Sequence, residues 1–125
     1  MEAIPPDVRS FILASIPTVG HMEALLLALE NPGASWSVAE LAKRLYVSEQ
    51  QAEGFLRDLT ASGLLEIDAA SVERWRYAPA TPELDDVATR AGRTYRQRLV
   101  AVTHLIHSRT SAARQFSDAF RFWRK

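Results

Sequence analysis

The fold is decided by residues 37–66, which read SVAELAKRLYVSEQQAEGFLRDLTASGLLE. Ser37 and Ser48 each begin a Ser-x-x-Glu/Gln pattern, which is typical of a helix N-terminus because the hydroxyl and the later side chain satisfy free backbone N–H groups. After each pattern, apolar residues recur at spacings of three and four, which indicates an amphipathic helix. Only Tyr46 and Val47 separate the first helix from the second cap. Two helices with so short a connection must cross at a steep angle to share one core.

Two short runs of strand-forming residues follow these helices. Gly63 supplies a stop for the second helix, and Leu64–Ile67 then predicts a strand. Arg74–Tyr77 predicts the antiparallel partner of that strand. Trp36 lies one residue before the first cap and is expected to pack on Leu41 as a hydrophobic staple. The sequence therefore predicts a sheet of two strands.

Two further helices are predicted before this unit. The first covers about residues 6–16 and is closed by Pro17, which cannot continue a helix. The second covers residues 19–30 and carries apolar side chains in nearly every direction, which predicts a central, buried helix.

Helices are also predicted after the hairpin. Thr81 is expected to cap a long helix over residues 83–108. Apolar residues spaced by three or four favour packing of this helix against another long helix; they are Ala88, Ala91, Tyr95, Leu99, Val102 and Ile106. A last helix is predicted near residues 111–123.

The order of elements predicts one domain over residues 1–125 that is mainly α with a small two-stranded β-hairpin. Within it we expect a core over residues 19–79, an N-terminal helix in residues 5–17, and C-terminal helices over residues 81–125.

Composition favours the cytoplasm as the location of the protein. The chain of 125 residues has no cysteine, which excludes disulfides and thiolate metal sites. It has no apolar run long enough for a membrane span, and its first residues lack the basic start and apolar stretch of a signal peptide. We therefore expect a cytoplasmic protein without a membrane partner.

The net charge of zero hides a division along the chain. Residues 1–89 carry 14 acidic and 6 basic side chains, whereas residues 90–125 carry one acid, Asp118, and nine bases. Charges act within about 10 Å at ordinary salt, so this local division is informative although the total charge is zero. The basic end can meet phosphates, an acidic partner, or the acidic part of a second subunit.

Helix, tight turn, helix and hairpin together resemble a winged helix-turn-helix. The motifs most typical of this superfamily are the Leu-x-Val-Ser turn at residues 45–48 and the Gly-Leu-Leu at residues 63–65. The flanking helices resemble those of the MarR and PadR types of bacterial transcription regulator. This resemblance implies a DNA-binding regulator that dimerises through its N-terminal helix and the helices after Thr81. It also implies that residues 48–63 enter the major groove as the recognition helix and that the wing, residues 65–78, lies beside it.

The resemblance places eight residues at the DNA surface. Gln50 and Arg57 face away from the apolar side of the recognition helix and carry the groups that read adenine and guanine edges. Four residues lie where this superfamily usually meets phosphate: Lys43, Arg44, Ser48 and Gln51. Arg74 and Arg76 alternate with aromatic residues on the second wing strand, so both are expected to face outward.

Acidic residues on the same surface favour an alternative function. Glu49, Glu53 and Asp58 give the recognition helix a net charge of −2, and each carboxylate opposes attraction to phosphate. Asp68 and Glu73 add negative charge at the tip of the wing. The alternative is a winged-helix module that binds another protein and little or no DNA.

No motif in the chain predicts catalysis. There is no Gly-rich phosphate loop, HExxH, nucleophile elbow or cysteine nucleophile, so we expect neither an enzyme nor a cofactor. His104 and His107 lack the cysteine or nearby acid that would complete a zinc site, and His21 is expected to be a partly buried helix residue. Residues 120–125 mix aromatic and basic side chains, and we expect the C-terminal aromatic residues to dock on the core or on a second subunit.

Overall fold

The computed structural model describes residues 4–68 and 73–108 of the chain. These residues form six helices and three strands, so the fold is mainly helical with a small sheet. In chain order the elements are α1 (Pro6–Ser15), α2 (Val19–Glu30), β1 (Ser35–Trp36), α3 (Val38–Leu45), α4 (Glu49–Ala61), β2 (Leu65–Asp68), β3 (Arg74–Tyr77), α5 (Pro82–Gln97) and α6 (Leu99–Ser108). The helix predicted near residues 111–123 lies outside the described residues.

Both capping boxes predicted from the sequence are confirmed. The Ser37 hydroxyl accepts a hydrogen bond from the backbone N–H of Glu40, and the Glu40 carboxylate accepts one from the N–H of Ser37 at 3.0 Å. Ser48 and Gln51 make the same reciprocal contacts at the start of α4. Between the two helices Tyr46 adopts a left-handed backbone with φ of 58°. This one residue turns the chain sharply from α3 toward α4.

The sheet has three strands, so the predicted two-stranded sheet was wrong. The central strand β3 pairs antiparallel with β2, as predicted, and also with β1, where Trp36 lies opposite Trp75. A strand of two residues is too short to show the alternation that marks a strand in a sequence. The N-cap residue Ser37 has extended backbone, as such caps require, and Ser35 with Trp36 continues that extended segment beside β3.

The helix α2 lies at the centre of the core, as its apolar sequence predicts. It contacts α3, α4, α5 and β3, and its buried side chains are His21, Met22, Ala24, Leu25 and Ala28. The N-terminal helix α1 packs along α5. Buried residues from the helices and the sheet join one core, which includes Ile12, Leu41, Leu59, Trp75 and Ile106.

The prediction of one continuous helix over residues 83–108 was wrong. The chain leaves helical backbone at Arg98, with φ of −135° and ψ of 54°, and this residue separates α5 from α6. Beyond the break, Leu99 and Val100 are 52% and 69% exposed. The other apolar residues predicted to meet a second long helix are instead buried in this chain: Ala88, Ala91, Tyr95, Val102 and Ile106. No proline or glycine marks the break, so the local sequence does not predict it.

Candidate functional site

The helix α4 lies at the surface with one face on the core. Its buried side chains, Ala52, Leu56 and Leu59, are three and four residues apart and face the neighbouring helices. The exposed residues of α4 are Glu49, Gln50, Gln51, Arg57, Asp58 and Ala61. Gln50 and Arg57 are therefore accessible to a partner, as the sequence predicts.

The position of α4 is fixed by a close approach to α2 at Gly20. A Cβ atom on Gly20 would lie 2.3 Å from Cζ of Phe55, so only glycine fits beneath that ring. The same ring packs edge-on against the imidazole of His21, with the two centroids 4.7 Å apart. A Cβ atom on Gly54, in the middle of α4, would meet no described atom within 4 Å. Close packing therefore explains Gly20, and it does not explain Gly54.

A buried histidine provides a second link between α2 and α4. His21 is 6% exposed, which is more buried than the sequence predicts. Its Nε2 lies 2.7 Å from Oδ2 of Asp58, and its Nδ1 lies 2.7 Å from Oγ1 of Thr18. The Thr18 hydroxyl also accepts a hydrogen bond from the His21 backbone N–H and so caps α2. Asp58, which adds negative charge to the exposed face of α4, therefore holds this helix to the core.

Arg57 is paired with a carboxylate on its own helix. Its Nη2 lies 2.7 Å from Oε2 of Glu53, one helical turn earlier, and both side chains are largely exposed. Exposed pairs of this spacing contribute only about 0.3–0.5 kcal/mol. A phosphate or a base edge can therefore compete with Glu53 for the guanidinium.

Arg74 is bound to neighbouring residues more firmly than the sequence predicts. Its Nε donates to Oγ of Ser35 at 2.8 Å, and its Nη2 donates to the Ser35 carbonyl at 3.0 Å and to Oε1 of Glu40 at 2.7 Å. The Glu40 carboxylate also accepts a hydrogen bond from the backbone N–H of Ser37. This hydrogen bond is the main cause that lowers the pKa of Glu40 below its usual range, and the hydrogen bond from Arg74 lowers it further. Arg74 therefore joins β3 to β1 and to the start of α3, which reduces its freedom to reach DNA.

Arg76 also has an acidic neighbour in the sheet. It lies directly opposite Glu66 on β2, and its Nε donates to Oε1 of Glu66 at 2.7 Å. Both side chains are about half exposed. The outward orientation predicted for Arg76 is observed, although its charge is matched by a carboxylate beside it.

The end of α3, next to the turn into α4, carries two exposed basic residues. Lys43 and Arg44 are exposed in the last turn of α3, and neither forms an ion pair with another residue of the described ranges. Gln50 is exposed on the next helix. Ser48 and Gln51 use their side chains in the capping box, which leaves the amide nitrogen of Gln51 outside it. We call Lys43, Arg44, Tyr46, Ser48, Gln50 and Gln51 the apex.

Tyr46 is a member of this surface that was not predicted from the sequence. Its side chain is 94% exposed at the tip of the turn, where its hydroxyl can donate to a phosphate oxygen. A left-handed backbone is unfavourable for a residue with a Cβ atom by about 1–2 kcal/mol. The only signal in the sequence is that a large aromatic residue occupies a turn between two caps, where glycine or asparagine is easier to accommodate.

The other residues considered for chemistry have no site around them in the described ranges. His104 and His107 are exposed on α6, and the described residues contain no group of three side chains that could hold a metal ion. Within the same residues, no single helix has the length and apolar character to cross a membrane. The helices α1 and α2 reach that length and apolarity together, but they meet at a bend of 111°.

The geometry therefore defines a small helical domain with a two-helix turn beside an antiparallel sheet. Comparison with protein-family models, curated proteins and solved structures finds no match for this chain. The candidate site consists of three parts: the basic apex, the α4 surface with its mixed charges, and a sheet in which Arg74 and Arg76 each pair with a carboxylate.

Proposed function

We propose that the protein is a winged helix-turn-helix regulator of transcription that binds double-stranded DNA in the cytoplasm. In this proposal α4 enters the major groove as the recognition helix, and the hairpin of β2 and β3 lies beside it as the wing. The apex contacts the phosphate backbone at the entry to the groove, while Gln50 and Arg57 reach base edges.

The observation that carries this proposal is the character of the apex. Lys43 and Arg44 are exposed basic residues without a carboxylate partner among the described residues. They lie in the last turn of α3, which precedes the turn into α4, and backbone N–H groups at the N-terminus of a helix such as α4 also favour an anion. Positive charge, hydrogen-bond donors and an exposed helix N-terminus together are suited to phosphate.

We propose a homodimer formed through the helices after Thr81, with the surface around Leu99 and Val100 at its centre. These two large apolar residues are adjacent and exposed at the start of α6. An exposed apolar patch is more informative than a single exposed residue because burying it against a partner is favourable. A two-fold dimer would present two copies of α4 to successive turns of DNA, about 34 Å apart.

A second function, the binding of a protein partner, is favoured by the carboxylates around the proposed DNA contacts. Arg57, Arg74 and Arg76 are each paired with an acid. The exposed carboxylates along α4 and the wing could form ion pairs with a basic surface of a protein partner. In this case α4 would contact a protein instead of the major groove.

A matched pair of double variants distinguishes the two functions. Lys43→Ala with Arg44→Ala removes two positive charges from the apex. Arg9→Ala with Arg93→Ala removes two exposed positive charges elsewhere, from α1 and α5. Binding to a random-sequence duplex is followed by fluorescence anisotropy over a series of salt concentrations.

DNA binding through the apex predicts that only the first double variant lowers the salt dependence. If both subunits contact phosphate through these two residues, the slope of log K against log salt falls in magnitude by about 3.6, which is about 0.9 for each lost contact. Equal loss in both double variants would indicate a general charge effect and contradict the proposed contacts.

A further inference from the structure

An open depression lies between α1 and α5, on residues that the proposed DNA surface does not use. It has a volume of about 890 Å³. Its apolar part is formed by Phe11, Ala14 and Val87, and its acidic side chains are Asp7, Glu83 and Asp86. A surface that combines apolar and acidic side chains is suited to a segment that is both apolar and basic.

The one basic side chain of this depression is already neutralised within it. Arg90 forms ion pairs with Asp7 and with Asp86, the latter at 2.9 Å. Hydrogen bonding from Arg90 is also the main cause that lowers the pKa of the Asp7 carboxyl. With three carboxylates and one guanidinium among its lining residues, the depression has a net charge of −2.

The chain itself contains a segment with the complementary character. Residues 109–125 carry five basic side chains and one acid, a net charge of +4. On the helix that the sequence predicts for residues 111–123, one face is apolar and carries Ala112, Phe116, Ala119, Phe120 and Trp123. The described residues have the opposite balance, with 13 acids and 10 bases.

We propose that residues 109–125 dock into the depression between α1 and α5 of their own chain. The segment follows the end of α6. With residues 111–123 as the helix that the sequence predicts, two connecting residues of about 7 Å and a helix of about 20 Å reach about 27 Å from Ser108. This is about twice the radius of gyration of a domain of about 100 residues, which is about 13 Å. A helix over residues 111–123 would be about 20 Å long, similar to α1 at about 15 Å.

Tethering favours the same chain over a second copy as the source of the segment. Attachment to the same chain gives an effective concentration in the millimolar range, far above the concentration of a second molecule in a dilute solution. Leu99 and Val100 do not line the depression, so the proposed centre of the dimer and the proposed docking surface consist of different residues. The inference therefore does not depend on DNA binding and is compatible with the proposed dimer.

The absence of cysteine from the natural chain allows a direct test by disulfide cross-linking. One variant of the full chain combines Ala14→Cys, in the depression, with Ala119→Cys, on the apolar face of the segment. The matched control combines Ala39→Cys on α3 with the same Ala119→Cys. Ala14 and Ala39 are both exposed on helices, so neither substitution disturbs the core.

Mild oxidation at micromolar protein concentration is followed by non-reducing electrophoresis and intact mass. We expect the variant with Cys at 14 to form an intramolecular disulfide, monomeric in size, at least tenfold faster than the control. Adding Asp7→Asn and Asp86→Asn should slow this cross-link several-fold, because the lining residues then have no net charge to attract the basic segment. A covalent dimer as the main product, or equal cross-linking in the control, would overturn the proposal.

Discussion

The close contact between α2 and α4 makes Gly20 a sensitive position. In Gly20→Ala the new Cβ atom would lie 2.3, 2.8 and 2.9 Å from three atoms of the Phe55 ring, whereas ordinary contacts begin near 3.4 Å. The ring must move by about 1 Å, although it is also packed on His21. Overpacking of this kind costs about 1–3 kcal/mol, and alanine regains up to about 1 kcal/mol of helix propensity. The expected net loss is about 1 kcal/mol of unfolding free energy.

The matched control for this change is Gly54→Ala, in the middle of α4. Its Cβ atom meets nothing among the described residues within 4 Å, so the variant should gain about 1 kcal/mol. Urea unfolding followed by tryptophan fluorescence measures both variants, and thermal melting should separate them by about 6–12 °C. A Gly20→Ala protein as stable as the natural chain would refute the packing of α4 on α2 described above.

Two further predictions concern the turn and the sheet. Tyr46→Gly should raise the melting temperature by a few degrees, because glycine adopts the left-handed backbone with a free energy about 1 kcal/mol more favourable than tyrosine. A lower melting temperature would show that the exposed side chain stabilises the fold. Arg74→Ala should lower the melting temperature more than Arg76→Ala, since Arg74 bridges Ser35 and Glu40 whereas Arg76 has one exposed partner. The reverse order in thermal melts would contradict the structural role of Arg74.

The helices were predictable where their signals are local. Ser37 and Ser48 with their partners three residues later define two helix starts, and both capping boxes are present. Thr81 caps α5 as predicted, by accepting from the backbone N–H of Leu84. These contacts join residues close in sequence, so the pattern that predicts them is complete within a few positions.

Features that depend on distant residues were not predictable from the sequence. The strand β1 exists because Trp36 meets Trp75, far along the chain. The break at Arg98 has no helix-breaking residue beside it. The break allows α6 to bury Val102 and Ile106 in the core, and this packing involves residues distant in sequence.

The candidate site shows the same limit in its charges. Eight residues were proposed for DNA contact from their types and positions, and the sequence could not show how their charges are matched. Arg74 is bound to Glu40, which lies 34 residues earlier, and Asp58 is bound to His21, 37 residues earlier. The net charge of a helix therefore did not reveal which acids hold the fold together and which basic residues remain accessible.

The most direct test of the central claim is an anisotropy titration of a random-sequence DNA duplex with the unsubstituted chain at two salt concentrations. If four phosphate contacts are made by the two apexes of a dimer, affinity should fall about 100-fold between 50 and 200 mM salt. This result would establish a phosphate-binding surface and justify a search for the operator. No binding at the lower salt concentration would contradict a DNA-binding function and favour the protein-binding alternative.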